Sequence, residues 1–204
     1  MPKQLYDKED ILDKCLTVFA RNGYENTSTT MLAEAAGISR SLIFHHFNSK
    51  KELFLNLLDR CFEKGRIELE IDSLLDADDF FEAREKLSIT KFKYFKEKPD
   101  LYKFIMGVFY DTPVELETEI KEKYGDLIAG REKMIRQLFE KVPLKEGVDR
   151  DQAFELVSLT MDHFDNKYFA DLSDEKILNG EYLNCFLEER NSFLSMIRNG
   201  IEKR

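Results

Sequence analysis

Apolar residues recur along this chain at helical spacing, three or four positions apart, and no run alternates strictly as a half-buried strand would. The pattern predicts an all-α fold of about nine helices. Ile11, Leu12, Cys15, Leu16, Val18 and Phe19 mark the buried stripe of a first helix from about Asp7 to Arg21, which Asn22-Gly23 closes. Two short helices follow, near Thr29–Ala36 and Arg40–Phe47. Ser49-x-x-Glu52 reads as a capping box opening a fourth helix, which carries Leu53, Phe54, Leu57, Leu58, Cys61 and Phe62 and runs toward Leu69. Asp78-Asp79 suits the start of a fifth, from Phe80 to about Lys96, and Pro99 opens a sixth through roughly Phe109. Pro113 fits the first position of a long helix reaching about Glu140. After a break at Pro143 to Gly147 come two final helices, about Arg150–Ala170 and Asp174–Glu202.

The most telling stretch runs from Thr27 to Leu53. Its two short helices join at Gly37, and Ala33, Ala36 and Ile38 are small or apolar enough to let them cross closely. Ser39 stands where an N-cap would open the second of the pair. Arg40, Ser41 and Leu42 occupy its first turn, the part of a recognition helix that reaches base edges. His45, His46 and Lys50 follow within reach of one DNA face. This is a helix-turn-helix pattern, and it predicts sequence-directed DNA binding. Each residue also has a plainer role open to it: Arg40 as a solvated charge, His46 as a packing residue, Lys51 as ordinary surface.

Charge first looks wrong for that role, because the chain nets −9. Its distribution changes the picture. Residues 1–65 hold 9 basic and 9 acidic side chains, leaving 22 basic and 31 acidic ones for the remainder. A neutral head on an acidic body suits a protein that meets phosphate only through its head. The 17 Phe and 8 Tyr supply ample core, and there is no Trp. Cys15, Cys61 and Cys185 are far apart, odd in number and at apolar helical positions, so reduced structural thiols are expected. No apolar run approaches the ~20 residues of a membrane helix or resembles a signal peptide, so a cytoplasmic protein without a membrane partner is expected.

Chemistry finds little support elsewhere. Gly125-x4-Gly130-Arg131-Glu132 lacks the Lys-Ser/Thr pair and preceding strand of a phosphate loop. Asp162, His163 and Asp165 do not share a helical face well enough to hold a metal. No nucleophile–base arrangement stands out, so the expectation is no enzyme, no cofactor and no metal. The last two helices do carry a long apolar stripe: Leu183, Phe186, Leu187, Arg190, Phe193, Leu194, Ile197 and Ile201 on the final one, and Phe154, Val157, Met161, Phe164 and Tyr168 on the one before. These residues build either a hairpin core within one chain or a four-helix bundle between two; a homodimer is the reading preferred here.

The first 55 residues resemble the TetR family of bacterial transcriptional regulators. The match lies in Gly23-Tyr24, Thr27-Ser28, Leu32-Ala33, Ala36-Gly37-Ile38-Ser39, the run Leu42-Ile43-Phe44-His45-His46-Phe47, then Ser49-Lys50 and Glu52-Leu53. The resemblance implies that Ser28, with Thr29 beside it, meets a phosphate at the start of the second helix. Arg40, Ser41, Leu42 and His45 would then face the major groove, His46 and Lys50 would hold the backbone, and the N-cap Ser39 counts among the DNA-binding positions. Ser41 stands where the family often has Gly, and Phe44 where it often has Tyr, which removes one expected phosphate bond. Phe44 either touches a thymine methyl or packs. The family also implies an effector pocket among the body helices, for which Phe92, Phe95, Tyr102, Phe104, Ile105, Phe109, Tyr110, Tyr124, Met161 and Asp165 are candidates, although most of an aromatic stripe is usually core.

Taken together, the sequence suggests a helix-turn-helix domain at residues 1–49, a connecting helix at 50–70 and a helical ligand-binding and dimerisation domain at 71–204. The expected protein is a homodimeric repressor that binds a palindromic double-stranded operator, sits on the bacterial nucleoid when bound, and is released by a small, largely apolar effector. The alternative is a constitutive DNA-bound dimer, without effector, whose C-terminal domain recruits a protein partner.

Overall fold

A computed structural model describes residues 7–71, 77–170 and 180–203. Among them nine α-helices form: α1 Lys8–Asn22, α2 Thr29–Ala36, α3 Arg40–Phe47, α4 Lys50–Glu68, α5 Phe80–Glu97, α6 Pro99–Tyr110, α7 Glu117–Phe139, α8 Arg150–Phe169 and α9 Gly180–Ile201. The part of the last helix expected before Gly180 lies outside the described residues.

Local chemistry sets most helix ends. Carboxylates of Asp7, Asp79 and Asp149 accept backbone N–H bonds at the starts of α1, α5 and α8, at 3.2, 2.7 and 2.9 Å. The hydroxyls of Ser28, Ser39 and Ser49 do the same for α2, α3 and α4, at 3.2, 3.2 and 3.0 Å. The capping box at Ser49 is only half formed, because the Glu52 carboxylate accepts from the Asn48 side chain at 2.9 Å. Gly37 ends α2 in the left-handed conformation at φ 69°, which a glycine adopts without a Cβ clash. At the far end of α7 the Arg150 guanidinium donates to the carbonyls of Phe139 and Val142 at 3.1 and 3.2 Å.

Pro113 is not the first residue of α7. It is extended, at φ −58° and ψ 126°, and precedes a 3-10 turn over Val114–Leu116, so α7 begins at Glu117. The Pro113 carbonyl accepts the Leu116 N–H at 2.8 Å, and the bond that tightens this turn delays the α-helix by one step.

The described residues divide into two compact units. The first holds the chain up to Ile67 together with Lys98–Gly125; the second holds Glu68–Glu97 and Asp126–Arg204. In the first unit α1 packs on α2 and on α6, and α2 packs on α3. Ile11, Leu12, Cys15, Phe19, Leu32, Ile43, Phe47, Leu53, Leu57 and Leu58 are buried there with Phe104, Val108 and Leu116. Phe54 stands at its centre, its ring 5.0 Å from each of Phe19, Tyr24 and Phe104.

In the second unit α8 packs on α9 and on α5. Phe139 joins two rings there, 5.0 Å from Phe80 and 5.4 Å from Phe154. Phe92 packs against Phe169 and Phe186. Much of the stripe expected to face a second chain is consumed in this core: Val157, Met161, Phe186 and Arg190 are at most 1% exposed, and Phe154 and Leu194 are 6% exposed. These six therefore have almost no surface to offer a partner. Leu183, Leu187 and Ile197 are half-buried, and Phe193 is exposed.

Cys15 is buried and Cys61 partly so, and burial pushes each thiol up to about 12. Cys185, expected as a structural thiol, is exposed. Ellman's reagent should therefore label Cys185 quickly in the folded protein and Cys15 only on unfolding; rapid labelling of Cys15 by mass spectrometry would contradict the packing of α1. Phe54→Ala should lower stability by about 3–5 kcal/mol in a denaturant titration, because the three surrounding rings cannot close the cavity.

Candidate nucleic-acid interface

The α2–α3 pair presents its polar residues through a simple partition of the eight-residue α3. Ile43 and Phe47 are fully buried and anchor the helix. Arg40, Ser41, Phe44 and His45 are exposed, and their spacing puts them on the opposite face. Phe44 is 38% exposed, so this ring is available rather than packed. Leu42 and His46 are half-buried and stand at the flanks; the His46 ring lies 6.1 Å from Phe47. His45 and His46 face one another edge-on at 5.6 Å.

Hydroxyls crowd both helix starts. Ser28 is exposed and Thr29 half-buried at the start of α2. Ser39 and Ser41 share a hydrogen bond of 2.9 Å across the start of α3. Helix N-termini carry partial positive charge and unpaired N–H groups, the features that receive phosphate.

Lys50 occupies a more constrained position than the sequence suggested. Its ammonium donates to the Tyr24 carbonyl at 2.9 Å and lies 4.0 Å from the centre of the Tyr24 ring. Two of its three donors remain for another acceptor. Lys51, read from sequence as ordinary surface, instead pairs with Glu119 at the start of α7. Tyr24 is tied to the same part of the first unit: its hydroxyl donates to Glu115 at 3.1 Å, and burial with that carboxylate raises its pKa above the ordinary tyrosine range.

The residues expected to line an effector pocket fall in both units. In the first, Tyr102, Phe104 and Tyr124 are buried, Ile105 is half-buried, and Phe109 and Tyr110 are exposed. Phe104 belongs to the Phe54 ring cluster, and Tyr124 stacks on Phe62 at 4.7 Å while donating to Asp59 at 2.7 Å. In the second, Phe92, Phe95, Met161 and Asp165 are buried. A groove of about 620 Å³ does open on the second unit, lined by Asp79, Glu82, Glu85, Asn191, Arg198 and Glu202 among others, but none of the expected pocket residues lines it. Among the described residues no three His, Cys, Asp or Glu side chains gather as ligands for a metal ion, and no helix is long and apolar enough to cross a membrane.

An apolar edge remains exposed on these two helices. Leu156 and Leu159 on α8 are 48% and 61% exposed, and Phe193 and Met196 on α9 are 48% and 60% exposed. Phe193 belongs to the stripe read from the sequence; Leu156, Leu159 and Met196 were passed over, although each stands three positions from another residue of the set.

Residues 11–57 match the family described as "Bacterial regulatory proteins, tetR family". The HTH-type transcriptional repressor AcnR of Corynebacterium efficiens is 44% identical over 55 residues, which cover 27% of this chain and 29% of that protein. The chain thus spans less than a third of that curated relative's length. Two solved structures extend the likeness over almost the whole chain. The transcriptional regulator FadR of Bacillus subtilis, in complex with stearoyl-CoA, has a TM-score of 0.65 at 17% identity, covering 94% of this chain and 97% of its own. The ketosteroid transcriptional regulator of Mycobacterium tuberculosis has a TM-score of 0.61 at 17% identity, covering 98% of both chains. At such identity the structural likeness establishes the fold alone.

Proposed function

We propose that this protein, whose residues 11–57 match the model of the tetR family of bacterial regulatory proteins, is a DNA-binding transcriptional repressor released by a small effector. The observation that carries the reading is the exposed face of α3: Arg40, Ser41, Phe44 and His45 point outward from a helix held by two buried anchors. Arg40 supplies a planar fork suited to guanine, and Phe44 an apolar surface for a thymine methyl. Ser28, Thr29, Ser39 and the remaining donors of Lys50 serve the phosphates and set the register. Leu42 and His46 act from the flanks.

A second copy of this chain is the partner. The exposed edges of α8 and α9, with Leu156, Leu159, Phe193 and Met196, form matching apolar surface on two helices that already pack together. A two-fold interface there would present two α3 helices to a palindromic operator with half-sites about 34–36 Å apart or a multiple of that distance. The effector is read as small and largely apolar, in keeping with an aromatic-rich chain; the FadR neighbour is named in complex with stearoyl-CoA. Its effect on DNA arises from differential affinity for conformations that do and do not match the half-site spacing.

Operator selection from random duplexes, followed by titration, tests the DNA reading. Arg40→Ala should weaken the selected site by about 1–3 kcal/mol and relax preference at one base position. Lys50→Ala should weaken all sequences alike and flatten the dependence on salt. Unchanged affinity in both variants, with helicity retained, would remove α3 from the interface.

Oligomeric state tests the partner. Phe193→Asp sets a charge in the exposed apolar edge and should yield a folded monomer by light scattering, with operator affinity reduced because the half-sites are no longer linked. Leu194→Asp serves as a contrast: that side chain lies inside the protomer, so its loss should appear as unfolding. A wild-type chain that stays monomeric at tens of micromolar, on the order of a marginal association, would exclude the interface.

A further inference from the structure

Among the described residues, the second unit sets four cations, two buried and two partly buried, around one buried carboxylate. Arg84 and Lys91 come from α5, Arg131 from α7 and Arg190 from α9; Arg84 is 6% exposed and Arg190 is fully buried. Asp165 on α8 is the buried carboxylate among them, and the exposed Asp162 on the same helix also acts on Arg84, Lys91 and Arg131. Asp165 holds Lys91 at 3.5 Å and accepts from the Ser88 hydroxyl at the same distance, both loose contacts. The Arg84 Nε donates only to the sulfur of Met161, at 3.2 Å, a weak acceptor. Arg190 reaches Glu85 at 3.6 Å and the Asn191 side chain at 3.3 Å, yet its Nη1 is buried without an acceptor. The Arg131 Nε likewise has no acceptor among the described residues.

A protein core rarely leaves cationic donors in this condition, because burying an uncompensated charge is among the costliest things a fold can do. A buried group left without a partner calls for one that arrives from outside. Burial, with Arg131 and Arg84 nearby, holds Lys91 down to about 8; burial also lowers Arg84, and burial with Arg84 nearby lowers Arg131, against the pull of Asp165 and Asp162. An arriving anion relieves that repulsion; an arriving cation adds to it. Guanidinium groups fit carboxylate and phosphate with paired hydrogen bonds. Met161 lies against Arg84, and the ligand's remainder is the largely apolar body already read for the effector.

We propose that Arg84, Lys91 and Arg131 form the seat for the anionic group, a carboxylate or a phosphate ester, of an amphiphilic small-molecule effector. This rests on the reading of the chain as an effector-responsive regulator and sharpens "largely apolar" to an apolar body with an anionic head. Asp165 then serves as the placeholder counter-ion of the empty state.

The test uses the full chain and four probes of one chain length, each below its micellar concentration: dodecanoate, dodecyl phosphate, methyl dodecanoate and dodecylamine. Calorimetry and thermal unfolding should show binding and a raised Tm with dodecanoate or dodecyl phosphate, and whichever is tighter identifies the head group. The neutral ester and the amine should bind at least about tenfold more weakly, the loss expected when charge-assisted hydrogen bonds are removed. Arg84→Met and Arg131→Met should each lose about the same factor for the anionic probe. Lys91→Met provides a third variant should either arginine change impair folding. Equal binding of ester or amine, anion binding unchanged in the folded variants, or no binding of either anionic probe would overturn the seat. Operator binding without any probe is measured in parallel: its absence, with anion binding intact, defeats the repressor reading and leaves the seat standing.

Discussion

The contact of Phe54 with Phe19, Tyr24 and Phe104 is the one on which the first unit most depends. Phe54 lies on the second turn of α4, Phe19 near the end of α1, Tyr24 in the loop before α2, and Phe104 on α6. A single side chain thereby joins four separate segments. Rings at this separation gain both buried area and favourable edge-to-face geometry. The helices that expose α3 are too short to be stable alone, since eight residues give barely two turns. Their order comes from this shared core and from the serines that cap each start.

Because the anchors of α3 are just Ile43 and Phe47, its opposite face is free to carry chemistry without a cost to packing. The same economy ties Lys50 into place: the Tyr24 ring that packs on Phe54 also receives the lysine ammonium, so the apolar cluster and the cation proposed to meet phosphate share one residue. Tyr24 also reaches Glu115, and Lys51 reaches Glu119, which brings the segment after α6 into the support of the interface.

Net charge misleads in both units. The first is near neutral along residues 1–65 yet sets Arg40 and His45 together on the exposed face of α3. The remainder carries the acidic excess, yet Arg84 and Arg190 are buried in the second unit, with Lys91 and Arg131 partly buried beside them. Counting residues gives a total, whereas a ligand responds to the field where it binds, and burial amplifies a few charges far beyond the many on the surface.

What the sequence determined by itself was local. The caps at Ser39, Ser49 and Asp79, the stop at Gly37 and the outward face of α3 all depend on residues within one turn of each other, so spacing and residue type sufficed. What only the tertiary structure decided was which neighbour covers each face. The periodicity of α9 marked Phe186, Phe193 and Leu194 alike, but the packing of α8 and α5 encloses the first and third and leaves Phe193 outside. Pro113 looked like a helix start until the Leu116 N–H turned back to its carbonyl. The segment Lys98–Gly125 reads as part of the body, yet its contacts lie with α1 and α4. Arg84, Lys91 and Arg131 looked like ordinary polar positions on amphipathic helices, far apart along the chain. Their meaning appeared only when α5, α7 and α8 brought them around Asp165, because the energy of a buried charge is set by its surroundings in space and leaves no periodic trace in sequence.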